Sequence, residues 1–396
     1  MQIRGDMVDF KEFRTKKELL LHLANVKLLI GNGFDLYCNL NTRYVDFFVQ
    51  YNYIYERIHD WSRNVYQNNL YTHPFNIRGI DKQTNCNLDE NTTIWDLYFY
   101  YNIINFNEES LFDDYSEIQS DYYWCDIELM IKKSLSNKDR IKSYDKNNIL
   151  WIKLCNYMDK KQLNNLNIFE QLCFFFYNIR KQDESFINFL FHELVRFEKR
   201  FGTYIKNEEK SDDYQTKAIA CLNKLIDVSI KTNFSIDSFN YTSISSIVNF
   251  KHINGDTDNP IFGIDSTNEE KFKIFTKDYR RFKLLSTSNN FIPNSFFENL
   301  IIFGHSLNEQ DYNYYFSLFD QLKILNVDSN FKIIFVYKLY RNTEKENNKL
   351  LEELMIKIIL LFENYEMERT NNNNYRLFGR LNNQNKILLI NIDDDF

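Results

Sequence analysis

Val26-Lys27-Leu28-Leu29-Ile30-Gly31-Asn32-Gly33-Phe34-Asp35 is the stretch that decides the fold. A compact, mostly apolar run of strand length ends in Gly-Asn-Gly, which reads as a buried strand delivering a tight turn. Thr42 then offers an N-cap for a helix over 43–49, and a short helix is expected before the strand, over 16–24. A lone strand cannot bury itself, so its partners must lie further along the chain. From 50 to 231 the spacing is mostly helical. Trp124, Ile127, Ile131 and Leu135 share one helical face, as do Ile187, Leu190, Leu194, Phe197 and Phe201. After 232 short Ile/Phe/Val runs recur at 234–239, 247–253, 260–264, 300–303, 331–337 and 387–392, each with the length and composition of a strand. Near-continuous apolarity implies burial on both faces, as in a parallel sheet covered by helices. Helical patterns over 311–325 and 344–362 alternate with these runs. The expectation is an α/β domain with a mainly parallel sheet, built from 25–49 and 232–396. A mostly helical insertion, 50–231, follows its first strand.

Composition narrows the function classes. Lys and Arg total 48 against 55 Asp and Glu, a net charge of −7, which excludes a general polyanion binder held by many phosphate contacts. A hydrophobic fraction of 44% excludes disorder over the whole chain, and only 9 Gly and 3 Pro exclude collagen-like and linker-like readings. The six Cys have no CxxC spacing, the start has no apolar signal core, and no apolar run approaches the roughly 20 residues of a membrane span. Reduced, uncrosslinked cysteines in a cytoplasmic protein without a membrane anchor are expected. No clustered Cys and His set suggests a metal site.

Because Gly is scarce, its placement is informative. Gly31, Gly33, Gly255, Gly263 and Gly304 sit at or just beyond expected strand ends, and ligands of open parallel sheets bind outside those carboxyl ends. Polar residues gather at the same places: Asn32 and Asp35, Asn240 and Thr242, then His252, Asn254 and Asp256, then His305 and Ser306. Gly31-Asn32-Gly33 begins a dinucleotide fingerprint, but Leu36 stands where the third Gly would be. It reads either as a backbone cradle for a nucleotide phosphate or ribose, or as a plain strand-to-helix turn. Asn240 fits a ribose hydroxyl, an attacking water or a helix cap. His252 and His305 fit proton transfer, sugar binding or a structural role. Asp126 and Glu128, two apart on a helix, are not a dyad. Glu193, Arg196 and Glu198 are expected on a solvated helix face. Between 271 and 283, six Lys and Arg interleave with Phe272, Phe275, Tyr279 and Phe282. That reads either as a nucleic-acid patch or as an amphipathic helix with a solvated basic face.

Taken together, several blocks resemble the bacteriophage abortive infection AbiH family. They are Leu28–Asp35, Leu40-Asn41-Thr42-Arg43-Tyr44 with Asp46-Phe47, Trp124 with Ile127-Glu128, Phe197-Glu198, Ser238–Thr242, His252–Gly255, and Ile302–Leu307 with Asp311. The resemblance implies a role in phage defence, in which an infected cell is sacrificed or arrested. The same blocks are similar, more distantly, to sirtuin-like NAD-binding domains. That similarity implies a Rossmann-like sheet and NAD or a related nucleotide as ligand. It implies catalytic roles for Asp35, Asn240, His252 and His305. Binding would fall to Gly31, Asn32, Gly33, Phe34, Thr242, Asn254, Gly255, Gly304 and Ser306. Two positions depart from the sirtuin-like pattern: Thr242 stands where Asp is usual, and Asn254 replaces the His before Gly. Asn is no general base at neutral pH, so His252 or His305 supplies one, or the site binds without hydrolysis. Cleavage of an N-glycosidic bond, nuclease action and non-catalytic nucleotide sensing stay open. So do a phage-derived trigger, nucleic acid at 271–283 and a second copy of the chain as partners.

Overall fold

The computed structural model describes residues 20, 22–50, 92–96, 98–99, 127–136, 173, 185–210, 213–226, 234–287, 296–326, 328–370 and 376–393. These fall into two compact units. One draws on Met1–Leu40, Glu208–Asp256 and Ser288–Phe396, the other on Asn41–Asn207 and Thr257–Thr287.

The first unit is built on a six-stranded sheet, β1 (Val26–Ile30), β2 (Phe234–Ser238), β3 (Phe250–His252), β4 (Asn299–Phe303), β5 (Lys332–Tyr337) and β6 (Ile387–Asn391). Every pairing is parallel and the order is β3-β2-β1-β4-β5-β6. The chain steps outward from β1 to β3, then returns to β1's other side with β4, so the direction of winding reverses between β1 and β4. Strand β1 joins partners some two hundred residues on, in register Val26 to Phe234 and Val26 to Asn299.

Both faces of the sheet are covered, which is why the strand sequences are nearly continuous in apolar residues. Alternate residues point to opposite faces. Val26, Leu28, Ile30, Ile301, Phe303, Ile334 and Val336 pack with α1 (Asn32–Tyr37) and a later helix, Tyr214–Ile226. Leu29, Leu300, Ile302, Ile333 and Phe335 pack on the other face against helices Tyr312–Leu322, Glu344–Thr370 and Leu377–Asn383. Lys27 is the exception in β1. Its ammonium is buried and bonded to Asp237 of β2 at 2.9 Å, and Tyr314 Oη donates to the same carboxylate at 2.6 Å.

The second unit contains α2 (Tyr44–Gln50), α3 (Ile127–Ser136), most of α4 (Phe186–Glu209) and, after α5 (Tyr214–Ile226) of the first unit, α6 (Lys277–Thr287). The remaining helices of the first unit are α7 (Tyr312–Leu322), α8 (Glu344–Thr370) and α9 (Leu377–Asn383). Rings make much of the second core: Phe47, Phe197, Phe201 and Phe262 meet at centroid distances from 5.3 to 5.8 Å.

Two expectations fail here. Residues 260–264 form no strand of the sheet. They are a buried segment whose only ladder contact is a bridge from Ile264 to Thr276, with Phe262 N bonded to a side chain, Glu198 Oε1, at 2.8 Å. Their apolarity reflects burial against α4, and burial alone does not distinguish a strand from a packed loop. Glu193 and Glu198 are not solvated; each is 2% exposed. Glu193 accepts from Ile94 N at 3.1 Å, and Glu198 receives Arg280 through both guanidinium nitrogens, Nη2 to Oε2 at 2.5 Å. Trp124, Cys125 and Asp126 lie outside the described residues, as do Cys86 and Cys155. Cys38, Cys173 and Cys221 are buried and not disulfide-bonded.

Candidate functional site

The site begins with a contact between two glycine turns. The turn after β1 and the turn after β4 are pressed backbone to backbone: Gly31 N donates to Phe303 O at 3.0 Å and Gly33 N to Gly304 O at 2.7 Å. Gly304 has φ +72°, and a Cβ there would lie 2.3 Å from Phe34 N. A Cβ on Gly31 would lie 2.7 Å from Gly304 O. Glycine is required because the two loops leave no room for a side chain. They meet where the winding reverses, between β1 and β4.

Asp35, on α1, lies beneath these turns and is 1% exposed. Tyr214 Oη, from α5, reaches Asp35 Oδ1 at 2.9 Å. Thr242 Oγ1, from the loop after β2, lies 3.0 Å from both carboxylate oxygens. Tyr214 Oη and Thr242 Oγ1 are themselves 3.0 Å apart. Burial pushes the Asp35 carboxyl up to about 7, against the lowering effect of hydrogen bonds from Tyr214, Thr242 and Asn240 and with a small push from Glu209. The triangle suits both protonation states. Ionised, Asp35 accepts from two hydroxyls; protonated, it donates into a ring of them. Desolvation also raises the Tyr214 phenol, with Asp35 adding to it.

Asn240 ends β2 at the same place. Its amide Nδ2 donates to Gly31 O at 3.0 Å, and its own N–H is held by Ser238 Oγ at 3.0 Å. Its carbonyl accepts from His252 Nδ1 at 3.1 Å. A carbonyl only accepts, so Nδ1 carries the proton and Nε2 is the lone-pair nitrogen. Ser243 Oγ stands 3.0 Å from that Nε2 and donates to it. Burial lowers the His252 imidazole below its ordinary range, more than the Asn240 carbonyl and Asp256 raise it, and so keeps it neutral at pH 7.

His305 is arranged differently. Its Nδ1 accepts from Leu307 N at 3.0 Å, which leaves the proton on Nε2, 3.4 Å from Asp311 Oδ2. Both nitrogens serve the loop, whose Leu307 takes a left-handed φ of 54°. The His305 ring lies 4.3 Å from that of Phe239. So Asp35, Asn240, His252 and His305 come from four segments and gather at one edge of the sheet, with Gly31, Gly33, Thr242 and Gly304 among them. Asn32 opens α1 and is half-buried; Ser306 follows His305 and is also half-buried. Asn254 and Gly255 are buried just beyond β3, Gly255 at φ 79°. Phe34 points into the apolar core, 6.2 Å edge-on from Phe303.

The run matched from β1 through β5 has a family counterpart: the model of the bacteriophage abortive infection AbiH family matches residues 28–333. The chain belongs to the AbiH family. Membership suggests a role in abortive infection, as a defence against bacteriophage. No curated protein matches this AbiH chain. Among its described residues no group of three His, Cys, Asp or Glu is placed to hold a metal ion, and no helix is long and apolar enough to cross a membrane.

Sequence reading missed three members of this AbiH site. Tyr214 stands on an otherwise apolar helical face with Ala218, Cys221, Leu222 and Leu225, so its hydroxyl gives no local signal. Ser243 directly follows Asn240-Tyr241-Thr242, and that adjacency was the available clue. Glu209, at the end of α4, accepts from Ser243 N at 2.8 Å and is recognisable only once the chain is folded.

Proposed function

We propose that this AbiH protein is an abortive-infection effector. Its strand edge between β3 and β4 takes a nucleotide of the NAD type, and His252 acts as the base in cleaving an N-glycosidic bond. The observation that carries the reading is the convergence of the turns after β1, β2 and β4, with the end of β3, on the edge where winding reverses. An order of 3-2-1-4-5-6 is that of doubly wound dinucleotide-binding sheets, and such a reversal is where those sheets bind ligands. This supports a Rossmann-like reading of the domain.

The charges divide along the edge in a way that suits a nucleotide. Lys338 follows β5, its ammonium 3.8 Å from an Asp393 oxygen, and Lys357 Nζ reaches Ser306 O at 3.2 Å. Phosphates are served by that side. The β3 side carries His252, whose Nε2 lone pair faces the Ser243 hydroxyl at 3.0 Å, a group that can turn away, and can take a proton from an attacking hydroxyl. His305 has no lone pair to offer, because Leu307 N already occupies Nδ1.

The nuclease reading loses support from the second unit. Two cations of the 271–283 stretch are already committed inside it. Lys277 is bonded to Glu128 at 2.7 Å, and Arg280 is bonded to Glu198.

Thermal melting of the purified full chain with NAD, ADP-ribose or ATP tests the ligand. A nucleotide at 100 times its Kd should stabilise the fold by about 2.7 kcal/mol. Metabolite profiling after induction tests the chemistry: NAD should fall with wild type and persist with His252→Ala. Stabilisation without NAD loss would leave a sensor. No stabilisation by any of the three nucleotides would remove the ligand reading.

A further inference from the structure

Ser243 is held as a reacting group is held. Its N–H is fixed by Glu209 Oε1 at 2.8 Å, and its carbonyl by Gln215 Nε2 at 2.8 Å. The preceding Thr242 is locked to Asp35 and Tyr214. Its hydroxyl then meets His252 Nε2 at 3.0 Å, while His252 Nδ1–H is anchored on the Asn240 carbonyl at 3.1 Å. The three parts of an activated serine are therefore in place: a hydroxyl, a base with its lone pair toward that hydroxyl, and a third group that fixes the tautomer. Here the third group is a backbone carbonyl. It orients the imidazole as a carboxylate would, without adding a charge. Ser243 and His252 are both half-buried, and the hydroxyl is fixed between them.

We propose that Ser243 is a nucleophile, activated by His252, that takes an acyl group from a neutral ester or thioester. Ser243 Oγ bonds to the carbonyl carbon and its proton passes to His252 Nε2. The leaving alkoxide or thiolate departs with that proton. Water then attacks the acyl-serine, gives a proton to Nε2, and releases the acid and the serine hydroxyl. The charged neighbours favour a neutral electrophile over an anionic phosphoryl group: Glu209 sits on the Ser243 amide and Asp256 lies near His252. The proposal shares the strand edge with the nucleotide reading and does not depend on it.

The test is covalent labelling of the purified full chain with a fluorophosphonate, followed by peptide mass mapping, and a burst assay with p-nitrophenyl acetate. One adduct on Ser243 is expected, absent in Ser243→Ala. It should form on the order of 100-fold more slowly in His252→Ala, the lower range for loss of a positioned base. No adduct on folded protein, or an adduct that survives Ser243→Ala, overturns the proposal. Where His252→Ala fails to fold, Ser243→Cys with iodoacetamide decides. His252 should bring its alkylation midpoint below the ordinary thiol value of about 8.5, and a midpoint at or above that value overturns the proposal. Labelling of Ser243 in a chain that no nucleotide stabilises supports the nucleophile and removes the ligand reading alone.

Discussion

Asp35→Asn separates the effect of a buried charge from the effect of the hydrogen bonds around it. Asp35 is buried, and its folded value of about 7 stands against an ordinary value of 3.8. The folded chain therefore keeps a proton that the unfolded chain loses first. Between pH 4 and 7 the native state binds more protons, so stability falls as pH rises through that window. A gap of about 3 units corresponds to roughly 4 kcal/mol, fully present below pH 4 and lost by about pH 7. Asn has nearly the same shape and cannot ionise, so this slope vanishes in the variant. Its amide fits the ring of Tyr214 and Thr242 hydroxyls less well than a carboxylic acid, at a cost of about 1 kcal/mol.

The quantity to measure is the difference in unfolding free energy between wild type and Asp35→Asn, by urea denaturation from pH 4 to 8.5. Groups that titrate alike in both proteins cancel in that difference. It should move by about 4 kcal/mol in the variant's favour and flatten above pH 7. The Asp35 carboxyl resonance should titrate with a midpoint near 7. A flat difference, or one that tilts toward wild type as pH rises, would show that the hydroxyls of Tyr214 and Thr242 outweigh desolvation. Asp35 would then be ionised in the folded chain below pH 7, against the effect of its burial.

Gly304→Ala should lower stability by about 3–5 kcal/mol. It places a methyl 2.3 Å from backbone and in a left-handed conformation; a melting temperature within a degree of wild type would show that the two turns can separate cheaply. Glu198→Ala should cost about 3–5 kcal/mol by leaving the Arg280 guanidinium buried without its carboxylate. Arg280→Met in the same background should recover a good part of it, and a double variant no more stable than the single would contradict the ion-pair account. Asp237→Ala strands the Lys27 ammonium inside the sheet and should cost a similar amount; an unchanged denaturation midpoint would show that water or Tyr314 satisfies Lys27 without it.

Much of the sheet was legible in the sequence because its strands are buried on both faces. Burial on both faces writes a dense apolar signal into short runs, as in 26–30 and 300–303. The same signal misled at 260–264. There the run is buried against aromatic residues of α4, and its amides are satisfied by Glu198 and by the segment around Thr276 instead of by a strand. Glu193 and Glu198 were misread for a related reason. Charged residues at helical spacing look solvated unless their partners are known, and Ile94 and Arg280 are far away in sequence. Lys27 escaped notice inside an apolar run because a single lysine does not break the pattern. Only pairing with β2 supplies the Asp237 that makes it tolerable.

Gly31, Gly33 and Gly304 do lie at strand ends and Gly263 does not, since 260–264 forms no strand, and geometry gives the polar residues beside the strand ends different tasks. Asp35 spends its oxygens on Tyr214 and Thr242. Asn240 spends its amide on Gly31 and Asp35, and His305 spends both nitrogens on its own loop. These bonds fix α1, the end of β2 and the loop after β4, so substituting them disturbs the frame along with any chemistry. His252 alone among the four catalytic candidates presents a lone pair to a half-buried hydroxyl, and it can do so because the Asn240 carbonyl fixes its other nitrogen. The edge thus divides into a side between β1 and β4, where Asp35, Asn240 and His305 are bonded within the frame, and a side after β3, where the His252 lone pair faces a hydroxyl. A residue type such as His or Asn cannot reveal that division from sequence, because the division depends on which atoms are already bonded. On the proposal made above, a reaction at this edge starts from Ser243 and His252, whatever ligand the glycine turns help to seat.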